Sequence, residues 1–309
     1  MTDVGARSRR DARSVEVQAQ AKVNLRLRIL AREASGFHQL ETLFLRLDLA
    51  DTVRVRRTTS SRSLDVTGDA DPAAIGPTDR NLAWRAAVAY CDMAGWVGGF
   101  GIELEKRIPI GGGLGGGSAD AGAVLRAMDA MVEKPLGVAA LLRIAFTLGA
   151  DVPFLSSEHA YALAWGRGER LLALKPPPRR QVVVVVPPFG VNTTEAYGWL
   201  AAPRASAIPV GEAVGALTPA TLATWKGILP LASNDFEAVV ATRHPAITDL
   251  IDQLREMGAF IAMMSGSGSA VFGIMPTSVP VTVQSGGVGA GPAVLTHTAT
   301  RVEPVVLLD

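Results

Sequence analysis

The chain has 309 residues, of which 48% are hydrophobic and 19% charged, and this length favours two domains. Lys and Arg number 30 against 29 Asp and Glu, which gives a net charge of +1. This balance offers no basic surface for nucleic acid or an anionic membrane, and the apolar fraction excludes a disordered chain. We expect a soluble globular protein that binds small molecules, and neither nucleic acid nor membranes.

Cys91 is the single cysteine, so one chain can form neither an intramolecular disulfide nor a cysteine-based metal cluster. The arginine-rich N-terminus lacks the apolar stretch of a secretory signal. The purest apolar run, 182–186, ends at two prolines and is far shorter than a membrane helix. These features predict a cytoplasmic protein without a transmembrane segment.

The first half of the chain alternates strand-like and helix-like stretches. Alternating and apolar-rich stretches predict strands, and apolar residues at helical spacing predict helices. The predicted strands are 15–30, 43–57, 100–108, 182–186, 259–264 and 270–275. The predicted helices are 81–92, one that follows the glycine run and is capped by Ser118, 138–148, one that begins at Thr193 or Thr194, and one after Pro245 that ends at Gly258.

Three consecutive prolines at 176–178 form a stiff connection, and the composition changes after them. We therefore predict an N-terminal domain over 1–175 and a C-terminal domain over 176–309. The final segment, 276–309, is weakly patterned, and we expect extended structure there.

A glycine run lies between the third predicted strand and a predicted helix. Six of the seven residues 111–117 are glycine. Glycines allow positive φ and close backbone approach, and a helix N-terminus offers unpaired N–H groups and the positive end of its dipole. This combination is typical of a phosphate-binding loop. A tight structural turn is the alternative.

Two general phosphate-loop patterns fit the run poorly. Gly111, Gly113 and Gly116 match the dinucleotide fingerprint, but that fold needs an acidic residue on a second strand about 20 residues later. Two predicted helices fill that interval. The P-loop pattern needs a lysine directly before Ser118, and Gly117 stands there.

The spacing Pro-x-x-x-Gly-Leu-Gly-x-x-Ser over 109–118, preceded by Glu-Lys-Arg-Ile, resembles the nucleotide loop of the GHMP kinase superfamily. Further segments resemble this superfamily in its own order, at 21–25 (AKVNL), 35–44 (SGFHQLETLF), 149–154 (GADVPF), 234–237 (NDFE) and 265–268 (SGSG). The first two are similar to members that phosphorylate an alcohol carried by cytidine diphosphate. Such enzymes usually have Ser at the position of Ala119 and Tyr at that of Phe37.

The resemblance implies an α+β, two-domain GHMP kinase fold. Its N-terminal domain would resemble domain 2 of ribosomal protein S5, and its C-terminal domain would be ferredoxin-like. The implied activity is phosphorylation of the 2-hydroxyl of the cytidine-diphosphate alcohol, with ATP and Mg²⁺, in non-mevalonate isoprenoid synthesis. Two alternatives stay open: a GHMP kinase for mevalonate or homoserine, and a non-catalytic ligand sensor, which we would expect to lack Lys22 or Asp151.

Phosphoryl transfer to an alcohol needs a positioned hydroxyl and a proton acceptor. Asp151 follows a helix end and precedes Pro153, and its apolar neighbours would tune its pKa. By resemblance Asp151 is the base and Lys22 its ion-pair partner. The resemblance places the alcohol substrate and its cytosine against Asn24, Phe37, His38, Tyr197, Gly266, Ser267 and Gly268.

The resemblance also assigns the nucleotide. Asn81 and Lys106 would lie near adenine. The phosphates would contact Pro109, Gly111, Gly112, Gly113, Leu114, Gly115, Gly116, Gly117 and Ser118. Ser118 is also the candidate ligand of Mg²⁺.

Overall fold

The computed structural model describes residues 14–34, 36, 38–68, 75–204, 217–277 and 292–308, without the side chains of 201–204. The strands are β1 (Ser14–Arg32), β2 (His38–Thr58), β3 (Arg62–Gly68), β4 (Gly99–Lys106), β5 (Tyr161–Gly166), β6 (Arg170–Ala173), β7 (Gln181–Val185), β8 (Ser233–Asn234), β9 (Ile261–Met264), β10 (Val271–Ile274), β11 (Ala293–His297) and β12 (Val306–Leu308). The α-helices are α1 (Leu82–Ala94), α2 (Gly116–Ala130), α3 (Val138–Leu148), α4 (Val152–Ser156), α5 (Thr193–Arg204), α6 (Pro219–Leu222), α7 (Trp225–Ile228), α8 (Glu237–Ala241) and α9 (Ala246–Glu256). Thr78–Arg80 and Leu229–Leu231 form 3₁₀ turns.

The larger sheet is built on the antiparallel pair β1 and β2. Its order is β12-β1-β2-β4-β3, with β5 also paired to β2, β6 paired to β5, and the short β8 paired to β1. Register shifts interrupt the β1–β2 ladder at three places, the first between Gln20 and Lys22. Such irregularities bend a strand and redirect its side chains. Here the first of them lies beside the predicted catalytic lysine.

The smaller sheet has the order β11-β7-β10-β9. One of its faces joins the core under the larger sheet, with Phe272 and Ile274 buried there. The opposite face, which includes Met264, packs against the apolar side of α9 and against Leu27 and Leu40 from the long strands. The two sheets therefore share apolar contacts in the region where β1 ends and β2 begins.

Most predicted elements are confirmed within a few residues. The helix after the glycine run begins at Gly116, and its N-cap is Gly115 with φ 74°, so the expectation that Ser118 caps it is wrong. Glycine takes that position because the left-handed conformation excludes most side chains. Ser118 is instead the third helical residue.

The end of the chain has the predicted extended character where it is described. β11 completes the smaller sheet, whereas β12 crosses to pair with β1 of the larger sheet. Part of the predicted extended segment, 278–291, lies outside the described residues. In the described part of the chain, no helix combines the length and apolar character needed to cross a lipid bilayer.

Candidate active site

Lys22 is the central cation of the site. It is 2% exposed, on β1 beside the first register shift. Its Nζ donates to Asn24 Oδ1 at 2.7 Å and to the Gly113 carbonyl at 2.9 Å, and lies 3.2 Å from Asp151 Oδ2. A buried ammonium needs such partners, since burial of an unpaired charge is costly. The predicted pairing of Lys22 with Asp151 is present in the structure.

Asp151 lies between two helices. α3 ends at Leu148, and Asp151 is the N-cap residue of the one-turn helix α4, with Pro153 in its first turn. The side chain of Asp151 is 30% exposed, whereas that of Lys22 is 3% exposed. The carboxylate is therefore fixed on one side by the lysine and remains accessible to a ligand on the other.

Asn24 and Thr42 extend the buried polar network away from Lys22. Asn24 Nδ2 donates to Thr42 Oγ1 at 2.7 Å, and this hydroxyl donates to the Arg26 carbonyl at 2.8 Å. The Asn24 amide is thereby oriented with its oxygen toward Lys22. Thr42 lines the same cavity as Lys22 and Asp151, although the sequence analysis did not select it. The sequence signal that could have identified Thr42 is its polar side chain inside the 35–44 motif, on the same strand as Phe44.

The glycine loop fits tightly against its surroundings. Gly113 and Gly115 have φ of 75° and 74°. A Cβ on Gly113 would lie 2.2 Å from the Ser265 carbonyl oxygen. The Lys22 N–H donates to the Leu114 carbonyl at 2.9 Å, so β1 holds the loop through its backbone as well.

The C-terminal glycine motif contacts the phosphate loop directly. Ser265 Oγ donates to the Gly113 carbonyl at 3.0 Å, and the Ala270 N–H donates to the Gly112 carbonyl at 3.1 Å. Asn234 Nδ2 also donates hydrogen bonds to the carbonyls of Met264 and Gly266, at 2.9 and 2.8 Å, which hold the C-terminal motif in place. The two glycine segments therefore form one bonded unit.

Two adjoining cavities divide the predicted site residues. A cavity of about 200 Å³ is lined by Asn81, Lys106, Pro109, and Gly111 to Gly117, and Leu82, Leu104 and Ile108 supply apolar walls. The second, of about 390 Å³, is lined by Lys22, Asn24, Asp151, Tyr197, Ser118, and Gly266 to Gly268. Gly111, Gly113, and Gly115 to Gly117 line both. Ser118 thus lines the same cavity as Lys22 and Asp151.

Lys106 is engaged by two carboxylates that the sequence analysis did not select. Its Nζ donates to Asp120 Oδ2 at 2.7 Å and also to Asp51. Asp51 accepts in addition from the Ile108 N–H at 2.7 Å, which anchors the chain just before the glycine loop. Since the ammonium is already bound on both sides, a nucleotide would meet the aliphatic stem or backbone of Lys106. The sequence signal was a lysine on the buried face of β4.

Asp120 retains one unbonded oxygen. It is 3% exposed, and Asp120 Oδ1 has no hydrogen-bond partner among the described residues. Burial raises the pKa of Asp120 above its usual range, and the neighbouring Asp51 adds to the rise against the opposing effect of Lys106. Asp51, Lys106 and Asp120 together tie β2, β4 and α2 around the loop.

The aromatic side chains of Tyr197 and Phe236 also line the second cavity. The rings of His38 and Tyr197 stack at 4.4 Å between centroids, and Phe236 meets Tyr197 edge-on at 4.9 Å. Burial, with the charge of Asp151, raises the pKa of Tyr197 to about 12. His38 and Tyr197 also line a third cavity of about 860 Å³ with Arg32, Gly36 and Thr193. Phe37, the predicted cytosine partner, lies outside the described residues.

Two family models match this chain. The family model for the GHMP kinases N terminal domain matches residues 81–158, and the model for the GHMP kinases C terminal domain matches 220–285. The first match contains the glycine loop and Asp151, and the second contains the C-terminal glycine motif.

Relatives match over most of the chain. The 4-diphosphocytidyl-2-C-methyl-D-erythritol kinase of Desulfotalea psychrophila is 37% identical over 87% of this chain and 88% of its own length. The enzyme of the same name from Solibacter usitatus is 39% identical over 85% of this chain and 81% of its own.

Solved structures extend the comparison to the fold. A crystal structure of 4-(cytidine 5'-diphospho)-2C-methyl-D-erythritol kinase has a TM-score of 0.69 at 35% identity, covering 92% of this chain and 98% of the other. Homoserine kinase from Cytophaga hutchinsonii shares the fold with a TM-score of 0.65 at 16% identity, over all of both chains. Because relatives of 35–39% identity cover at least 85% of its length, the chain belongs to the 4-diphosphocytidyl-2-C-methyl-D-erythritol kinase family of the GHMP kinases.

Proposed function

We propose that this protein uses ATP to phosphorylate the 2-hydroxyl of 4-diphosphocytidyl-2-C-methyl-D-erythritol in non-mevalonate isoprenoid synthesis. The observation that carries this proposal is the Lys22–Asp151 pair, 3.2 Å apart in a cavity that also contains the glycine loop. A non-catalytic sensor would have no need of this pair. Relatives with this printed name match most of the chain.

The Asp151 carboxylate acts as the proton acceptor. The substrate hydroxyl donates a hydrogen bond to Asp151, its oxygen attacks the γ-phosphorus of ATP, and its proton passes to the carboxylate while ADP leaves. Lys22 holds the Asp151 carboxylate in place through their 3.2 Å contact. The amide of Asn24, oriented through Thr42, contacts the substrate on the far side of Lys22.

The glycine loop and the start of α2 receive the phosphates. Backbone N–H groups at 113–118, together with the helix N-terminus, favour the negative charge of ATP and of the transferring phosphoryl group. Adenine occupies the smaller cavity, between its apolar walls and beside Asn81 and the Lys106 stem.

Mg²⁺ fits this site through Ser118. Its hydroxyl-bearing side chain lines the cavity of the catalytic pair, and hydroxyl and phosphate oxygens are ligands that Mg²⁺ prefers. Within the described residues there is no group of three or more His, Cys, Asp or Glu that could hold a metal ion, which fits an ion held chiefly by the nucleotide. When bound, Mg²⁺ neutralises charge on the phosphate oxygens.

The aromatic side chains in and beside this cavity recognise cytosine. Phe37 and Tyr197 supply flat surfaces, and His38 a hydrogen-bond partner for the edge of the base. Because His38 and Tyr197 stack on each other at 4.4 Å, a base that lies against that face of Tyr197 must displace the imidazole. Gly266, Ser267 and Gly268 line the same cavity as Tyr197.

We also propose the domain division at 175/176 and a cytoplasmic location. All four strands of the smaller sheet come from residues after 180, which supports a C-terminal unit. Its last strand, β12, would then be an extension that fastens this unit to β1. The single cysteine, buried on α1, supports a reducing compartment.

An ADP-release assay over three alcohols tests the activity. The panel contains the cytidine-diphosphate alcohol, mevalonate and homoserine, each with ATP and Mg²⁺ and each repeated with Asp151→Asn. We expect turnover with the cytidine-diphosphate alcohol, lost in the variant. Turnover with mevalonate or homoserine instead would contradict the substrate assignment, and no turnover with any alcohol would contradict the kinase assignment.

A further inference from the structure

Arg46 lies on β2 directly opposite Lys22 of β1 in the antiparallel register. Directly opposite residues project from the same face of a sheet. Lys22 approaches Asp151, the N-cap residue of α4, and Arg46 approaches the last carbonyls of the same helix. The two cations are therefore placed at the two ends of one helical turn, about 7 Å long at the usual rise per residue.

The guanidinium of Arg46 is committed to the end of α4 and the loop that follows. Its Nη2 donates to the carbonyls of Phe154 and Leu155 at 2.9 Å and of Ser157 at 3.0 Å, and its Nε donates to that of His159 at 3.0 Å. Arg46 is 1% exposed. Burial lowers its pKa to about 9, and the charge of Arg126 contributes.

α4 depends on these contacts because a helix of five residues is too short to be stable alone. The Phe154 ring stacks on Phe44 at 4.9 Å, and the Arg46 guanidinium lies 5.1 Å from the Phe154 centroid. On the other side α2 packs closely, since a Cβ on Gly122 would lie 2.5 Å from the Leu155 carbonyl. The hydrogen bonds of Arg46 thus hold α4 against β2, the strand that carries Arg46.

We propose that Arg46 is a positioning residue for the catalytic carboxylate: it fixes the C-terminal end of α4 so that Asp151, at the other end, stays in register with Lys22. This role rests on the proposed function of Asp151 as the base. Like charges directly opposite each other in a sheet repel, so Lys22 and Arg46 need separate acceptors. The two ends of α4 supply them.

The test measures Arg46→Met in two backgrounds, the wild type and Asp151→Asn. Methionine keeps much of the side-chain length and apolar contact but donates no hydrogen bond. In the wild type we expect kcat to fall by about 10-fold to 10²-fold, as for displaced catalytic groups, with little change in ATP-analogue affinity. In the Asp151→Asn background the same change should cause no further loss, because the carboxylate that Arg46 positions is already gone.

Arg126→Met is the matched control. Arg126 is half-buried on α2 and donates to a carbonyl, that of Glu303, but within the described residues it makes no hydrogen bond to α4. The Arg126→Met variant should have a lower melting temperature and an unchanged kcat. Arg46→Lys, which keeps a cation and a donor, should restore part of kcat, and it replaces Arg46→Met in both backgrounds if that variant fails to fold.

The outcomes separate the two proposals. An equal loss of kcat in both backgrounds, or unchanged kcat in the wild-type background, would overturn the positioning role and leave the base assignment intact. Near-normal turnover of Asp151→Asn alone would overturn the base assignment, and the role of Arg46 with it.

Discussion

Gly115 packs so closely against Lys22 that even a Cβ would crowd the lysine stem. A Cβ at this position would lie 3.0 Å from both Cγ and Cε of the lysine, and the backbone has φ of 74°. The same residue is the N-cap of α2. The backbone turn at the start of α2 is thus packed against the stem of Lys22, so in the proposed mechanism a change in the loop affects both substrates.

Gly115→Ala should therefore impair both nucleotide binding and turnover. The methyl group strains the left-handed backbone and pushes on Lys22, and we expect kcat/KM for ATP to fall at least about tenfold, with kcat also lowered. Gly111→Ala is the matched control. Gly111 has φ of 78°, but a Cβ there meets no atom within 4 Å. The Gly111→Ala variant therefore has the same backbone strain but no crowding of a neighbouring side chain. Equal effects of the two variants would show that backbone strain alone matters.

Asp151→Asn should lower kcat by at least about 10²-fold and leave nucleotide affinity almost intact, since the base acts in the chemical step. The amide keeps the size of the side chain but cannot accept the proton. Turnover and ATP-analogue affinity are measured on the same preparation. Near-normal turnover would remove Asp151 from the mechanism.

Specificity for cytidine should depend on Phe37 and His38 more than on the phosphate loop. Phe37→Ala removes a stacking surface worth roughly 1–3 kcal/mol, judged by base stacking in nucleic-acid sites. His38→Ala removes a hydrogen-bond partner worth on the order of 1–2 kcal/mol. Each should raise KM for the cytidine-bearing alcohol and leave KM for ATP nearly unchanged. A lowered melting temperature with equal effects on both substrates would instead indicate a packing role.

Asp120→Asn should change how stability depends on pH. Because the pKa of Asp120 is raised in the folded protein, the folded state holds this proton at pH values where the unfolded chain has lost it. The unfolded state then binds fewer protons, so this group makes folding less stable as the pH rises through that interval. The Asp120→Asn variant has no titratable group at this position, so its stability lacks this decrease with rising pH.

Denaturant unfolding of both proteins between about pH 5 and about pH 8, above the ordinary carboxyl range, measures this difference. The unfolding free energy of the variant should rise relative to that of the wild type as the pH increases. Asp249→Asn, a change at an exposed residue of α9, provides the baseline. A pH-independent difference between Asp120→Asn and the wild type would contradict the raised pKa.

Local sequence determined much of this protein. The helix over 138–148 and the strand near 182–186 follow from short-range periodicity, and both lie where the pattern predicts. The glycine run is equally informative, because positive φ and close backbone approach require glycine wherever the loop lies in the fold. The motif order identified the superfamily for the same reason: each motif is a local backbone requirement with a few attached side chains.

Tertiary structure decided which distant residues meet. The 3.2 Å contact of Lys22 with Asp151 depends on a register shift in β1 and on a one-turn helix that has little intrinsic stability. The carboxylates around Lys106 come from a strand and a helix far apart in the chain, and no periodicity marks them as partners. Propensity and periodicity act over a few residues, whereas strand register and buried charge pairing are settled by long-range packing, which one sequence read locally does not contain.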